Sequence, residues 1–382
     1  MHLNDDAFVI VRCGHLTHAV HFEPSKFGAL MNMKNQRILF LDYLRVVSFV
    51  VVVIGHKYGA LVRDHRFDDS LHVTIRMACQ VIYSICAGGA LGVVLFFMIS
   101  GYIITHVLKK ENALEFYIKR FFRIYPLYVV AIISESIYLY FGKGIQPDIH
   151  DLIPRILLLG DFYGLQPALG GVEWTLRLEV MFYVYMGVVK LLRLNVNGNV
   201  LASVLMMSSI AVWKTNPFPT FQTFSYAYVS IYVHFLFIGV LIYLIDNKEV
   251  YIPLAIFYIG AMFYIHLDLV QLYNPFWKEF SYGIYGLTVF SLSCYFKRFF
   301  IFDNRVIILS EITYPVYLFH NWLWNILKDA LKIIKLPLIP VDIQVIFILF
   351  IICYLLNKYI ENSAIKYGKR FVNSLTIKNT AQ

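Results

Sequence analysis

The chain has 382 residues, 59% of them apolar and 15% charged, with a formal net charge of +9. A soluble chain carries about a quarter charged residues, so this composition excludes an ordinary soluble domain. No Lys/Arg block or nucleic-acid motif turns the positive charge into a case for nucleic acid as a partner. Apolar runs of about 20 residues recur along almost the whole chain. They predict an all-α, polytopic integral membrane protein of about ten transmembrane helices in one domain.

In chain order, residues 1–36 form a polar tail, expected to be disordered, with Met31 or Met33 as a natural start. The segment 13-CGHLTHAVH-21 brings Cys13, His15, His18 and His21 close together. Their spacing fits no standard zinc pattern, so no metal is expected. The five cysteines are scattered and read as unpaired, small apolar residues. The membrane domain occupies 37–361, with spans near 39–61, 86–107, 121–141, 172–190, 199–213, 223–245, 250–267, 280–296, 306–327 and 341–359. A piece at 152–159 is too short to cross, and 362–382 is expected to be a basic cytoplasmic tail. With residues 26–37 inside, the inner side collects 19 Lys and Arg against 11 outside. That bias places both termini in the cytoplasm.

The first span holds Arg45 and His56 in 45-RVVSFVVVVIGH-56. Charged and titratable groups are costly in such a run. The two residues leave the same helix face about 16 Å apart along the axis, at 1.5 Å per residue. As packing residues, Arg45 would pair with Asp42 and His56 would bond a neighbouring helix. In the second span, 96-FFMISGY-102 puts Ser100 and Gly101 near the depth of Arg45, where close helix packing is the plain reading. The third opens with 117-YIKRFFRIYPLY-128. Arg120 and Arg123 share a face at the cytoplasmic mouth, suited to headgroups or to bidentate phosphate binding. Pro126 is expected within the first turns, where helices tolerate it. In 173-EWTLRLEVMFY-183, Glu173 and Arg177 form an i,i+4 pair, while Glu179 lies about 200° from Arg177 and needs another partner. By depth, Glu179, His56 and His320 of 310-SEITYPVYLFHNW-322 share the outer third of the membrane. If they converge, Glu179 orients one imidazole as a base requires. His320 alone reads equally as an interfacial residue.

Together, the Arg-x10-His of the first span, FFMISGY, KRFFRIYP, EWTLRLEVMFY and ITYPVYLFH resemble, in order and spacing, the acyltransferase-3 family. Its members are membrane proteins of about ten helices that O-acylate, usually O-acetylate, cell-surface sugars and related acceptors. By this resemblance His56 matches the family's essential histidine and Arg45 its arginine partner. Arg120 and Arg123 match a cytoplasmic Arg-x-x-Arg, and Ser100, Gly101 and Tyr102 a Ser-Gly-aromatic element. Glu179 matches the glutamate of a Trp-containing motif, and Tyr317 and His320 a C-terminal signature. The family's Glu-x-Pro is here 361-ENS-363, a departure expected to alter the end of the last helix.

The resemblance and the depth argument imply one chemistry. An acyl-coenzyme A co-substrate, acetyl by family frequency, docks its phosphates at Arg45, Arg120 and Arg123, with Ser100, Gly101 and Tyr102 beside it; no bound cofactor is expected. The pantetheine arm runs outward, and His56, held by Glu179, acts as general base on a hydroxyl of a cell-surface polysaccharide or lipid-linked glycan. Tyr317 and Trp174 are candidates to stabilise the oxyanion. Direct transfer is favoured over an acyl-histidine, because no Ser or Cys sits in a nucleophile motif. The expected location is the bacterial cytoplasmic membrane; the oligomeric state is open. The alternative is a proton-coupled transporter or exporter of a glycan or small solute, since intramembrane His and Glu also build proton relays. Against it, no pair of Gly/Pro-broken helices recurs in the two halves.

Overall fold

The computed structural model describes residues 8–13, 16–21, 37–220, 226–274, 281–334 and 339–380, without side chains before 37 or after 375. The expectations for Cys13, His15, His18, His21, Met31 and Met33 therefore lie outside the described residues. Where a disordered tail is expected, the backbone pairs β1 (Phe8–Cys13) with β2 (Leu16–His21) in an antiparallel hairpin.

The rest is helical, and the chain is a multi-pass membrane protein. Its helices are α1 (Leu39–His65), α2 (Val73–Cys86), α3 (Ala90–Leu108), α4 (Ala113–Lys143) and the short α5 (Ile149–Ile156). Then come α6 (Glu173–Leu191), α7 (Gly198–Lys214), α8 (Tyr228–Asp246), α9 (Ile252–Tyr273) and α10 (Ser281–Tyr295). The chain closes with α11 (Asn304–Glu311), α12 (Thr313–Phe319), α13 (Trp322–Ile334), α14 (Val341–Leu356) and α15 (Asn362–Thr380). Six helical stretches among the described residues are long and apolar enough to cross a membrane. The other expected spans fall short for visible reasons. α6 carries Glu173, Arg177, Glu179 and Lys190, and α7 and α10 have 17 and 15 residues. The expected span 306–327 is broken into α11, α12 and α13, and Pro315 takes a first-turn position in α12, where its missing N–H costs no helical bond.

Lipid removes the hydrophobic drive between helices, so small residues and hydrogen bonds hold them together. α8 is buried along nearly its whole length and pairs with α3. A Cβ on Gly101 would lie 2.0 Å from the Leu236 carbonyl oxygen, and one on Gly239 2.2 Å from that of Met98. Two glycines thus let the two backbones touch. α1 meets α3 in the same way: the Ser48 hydroxyl donates to the Gly92 carbonyl at 2.5 Å, at a glycine with no room for a Cβ.

α4 starts eight residues before the expected span. The Asn112 side chain accepts from the Glu115 N–H at 2.9 Å, and Lys119 binds Glu111 and Glu115, so the helix extends beyond its apolar part. Pro126 therefore lies mid-helix rather than in the first turns. The expected tail at 362–382 is also corrected. A π-helical turn, Asn357–Glu361, joins α14 to α15, which packs on α4 with Tyr367 against Phe122 at 5.3 Å. No proline follows Glu361 to stop the helix.

Candidate active site

Two cavities lie end to end along the same helices. The inner one, about 230 Å³, is lined by Arg45, Ser100, Arg120, Arg123, Glu179 and Tyr183, among others. The outer one, about 220 Å³, is lined by His56, Trp174, Tyr232, Tyr317 and Asn321, among others. α3 passes from the outer lining at Val93 to the inner at Phe96, α6 from Trp174 to Glu179, and α12 from Tyr317 to Tyr314. α1 gives Arg45 to one and His56 to the other, on one face as their spacing predicts.

The inner cavity gathers three guanidinium groups. Arg45 reaches Asp42 at 3.3 Å, and Asp42 also accepts from the Ser310 hydroxyl at 2.7 Å. Arg120 and Arg123 close no ion pair among the described residues, and the Arg120 Nε is buried without an acceptor. Glu179 and Glu361 act on these arginines only from beyond ion-pair distance. Glu179 accepts instead from the Ser100 hydroxyl at 2.8 Å and the Tyr183 hydroxyl at 2.5 Å. A cavity rich in unpaired guanidinium donors suits a phosphorylated anion.

Glu179 is thus not the partner of His56. That partner is His320: His56 Nδ1 lies 2.9 Å from His320 Nε2, with the rings stacked 18° from parallel. His320 Nδ1 faces two acceptors, the carbonyls of Tyr317 at 2.8 Å and Val316 at 3.1 Å. It must carry a proton to bond them, which makes Nε2 of the neutral ring an acceptor. His56 then donates from Nδ1, and its own Nε2 keeps a free lone pair. The next residue, Lys57, donates to the Asn321 carbonyl at 2.9 Å and side-chain oxygen at 2.7 Å. Two consecutive residues of α1 therefore hold two consecutive residues at the end of α12.

The structure brings Trp174, Tyr317, His56 and His320 to the outer side. The Tyr317 hydroxyl donates to the Val172 carbonyl at 2.9 Å and meets the Thr175 hydroxyl, so its proton is committed. Trp174 packs on Tyr228 and Tyr232, and no acceptor meets its indole N–H among the described residues. Gly101 and Tyr102 line neither cavity. Gly101 serves the α3–α8 contact, and the Tyr102 hydroxyl donates to Asp246 at 2.6 Å beside Lys297.

Arg177 is saturated. It pairs with Glu173, as the i,i+4 spacing predicts, and with Asp161, and donates to the Leu158 carbonyl at 2.8 Å. It fastens the loop before α6 under the outer cavity. Sequence reasoning passed over Glu135, whose carboxylate accepts the Leu169 N–H at 2.7 Å. That bond supports a turn in which Leu169, Gly170 and Gly171 all have positive φ, two of them lining the outer cavity. A carboxylate inside an apolar span was itself the signal. Tyr183 carried one too, four residues after Glu179 on the same face.

A family model described as an acyltransferase domain matches residues 38–358. Comparison with curated proteins finds no match, and comparison with solved structures finds none.

Proposed function

The chain belongs to the acyltransferase-3 family, and from this premise we propose that it moves an acyl group, acetyl first, from acyl-coenzyme A to a hydroxyl of a cell-surface polysaccharide or lipid-linked glycan. The observation that carries the reading is the division of labour between two stacked cavities: unpaired guanidinium groups in one, an imidazole with a free lone pair in the other. Arg45, Arg120 and Arg123 hold the phosphates of the donor, and the pantetheine arm reaches outward along α3. His56 Nε2 takes the proton of the acceptor hydroxyl while that oxygen bonds the acyl carbon. The carbon–sulfur bond breaks, and the departing coenzyme A thiolate takes a proton back from the imidazolium. His320 fixes the tautomer that leaves Nε2 free. The Trp174 indole N–H is the donor best placed to meet the developing oxyanion, since the Tyr317 proton is committed. Glu179 is a wall of the donor cavity, holding Ser100 and Tyr183 and balancing the arginine charge. The donor enters from the cytoplasm of a bacterial cell, with both termini on that side.

The test is transfer itself. Protein reconstituted in vesicles is given labelled acetyl-coenzyme A and candidate glycans. Label on the glycan supports the proposal. Solute movement without transfer replaces it with the transporter reading.

A further inference from the structure

The partition between the two cavities is a pair of aromatic rings. Phe96 lines the inner cavity and Tyr317 the outer, and their rings stack within 2° of parallel with centroids 6.0 Å apart. A chain lying between two rings needs about 3.5–4.0 Å to each ring face, so the planes must stand roughly 7–8 Å apart. Rings whose centroids are 6.0 Å apart cannot be that far apart face to face. As it stands, the pair is closed to a pantetheine arm or an acyl group.

The two leaves differ in how they are held. Tyr317 is fixed by its bonds to the Val172 carbonyl and the Thr175 hydroxyl, both at the start of α6. Phe96 is half-buried, and packing alone holds its ring. Opening therefore falls to Phe96, through rotation about its side-chain bonds. We infer that Phe96 is a specificity-determining residue: its ring sets the size of acyl group that passes from the arginine cavity to His56 and closes the way when no donor occupies it. The inference rests on the acyl-donor reading above. It assigns to one apolar side chain the choice between short and long acyl chains. It also assigns to that side chain the exclusion of water from the thioester on the donor side.

The experiment compares unsubstituted protein with Phe96→Ala, Phe96→Leu and Phe96→Trp in three measurements: coenzyme A binding, transfer from acetyl-, butyryl- and hexanoyl-coenzyme A, and donor hydrolysis without acceptor. Phe96→Ala is expected to raise the hexanoyl-to-acetyl transfer ratio about tenfold or more and to raise hydrolysis. Phe96→Leu is expected to shift both in the same direction by less. Phe96→Trp is expected to lower transfer at least tenfold with coenzyme A affinity within about threefold of the original. If coenzyme A binds and acetyl is transferred, but the chain-length ratio stays the same in Phe96→Ala and Phe96→Leu, the inference is overturned and the donor reading stands. If coenzyme A does not bind the unsubstituted protein, the donor reading is overturned and the inference with it.

Discussion

Arg177 and the pair Arg120 and Arg123 sit at opposite ends of one helical bundle and are treated in opposite ways. Arg177 is fully buried and meets Asp161, Glu173 and the Leu158 carbonyl. Arg120 and Arg123 close no ion pair among the described residues and face a cavity. A cation in a low-dielectric interior must be compensated by something. Where the protein supplies the compensation, the residue is architecture. Where it leaves donors open onto a void, the compensation is expected from a ligand.

Four substitutions break or sharpen that contrast. His56→Ala removes the proposed base and is expected to lower transfer by about 10²–10⁴-fold, with the protein still in the membrane. Near-full labelling of the glycan by this variant would falsify the general-base assignment. Arg177→Met strands two buried carboxylates and is expected to cost about 3–5 kcal/mol of stability, read as a lowered midpoint of thermal unfolding in detergent. Donor affinity, measured on whatever fraction stays folded, should hardly move. Arg123→Ala should do the reverse. Losing a charge-assisted contact to phosphate costs about 1.5–3 kcal/mol, so coenzyme A should bind roughly 10–100-fold more weakly with an unchanged unfolding midpoint. An Arg123→Ala protein that loses stability instead of affinity would move Arg123 to the architectural side. Tyr102→Phe gives the smallest effect. It deletes one hydrogen bond to Asp246, worth about 1 kcal/mol, while Lys297 still holds that carboxylate. Weakened coenzyme A binding in this variant would return Tyr102 to the donor site.

Much of the contrast was legible in the sequence. The eleven-residue step from Arg45 to His56 gave their common face, and the i,i+4 spacing gave Glu173–Arg177. Glu179 was misread because depth along an idealised span says nothing about azimuth. It shares a helix with the outer loop, yet it turns its carboxylate to Ser100 and Tyr183 on the inner side. The His56–His320 contact joins residues 264 positions apart, and no local period encodes such a meeting. Tyr102 and Gly101 were drawn toward the donor by their neighbour Ser100. Consecutive helical positions point about 100° apart, so adjacency in sequence argued against a shared wall.

The break after Phe319 has a consequence for a different helix. The last carbonyls of any helix lack an intrahelical donor, and those of Val316 and Tyr317 find theirs in the His320 ring. Two orphan oxygens thereby dictate where one hydrogen sits, and through a second ring they dictate which lone pair of His56 stays vacant. Had α12 run on by another turn, those oxygens would have been used up by its own backbone, and the histidine on α1 would have lost the instruction that points its basic nitrogen at the substrate.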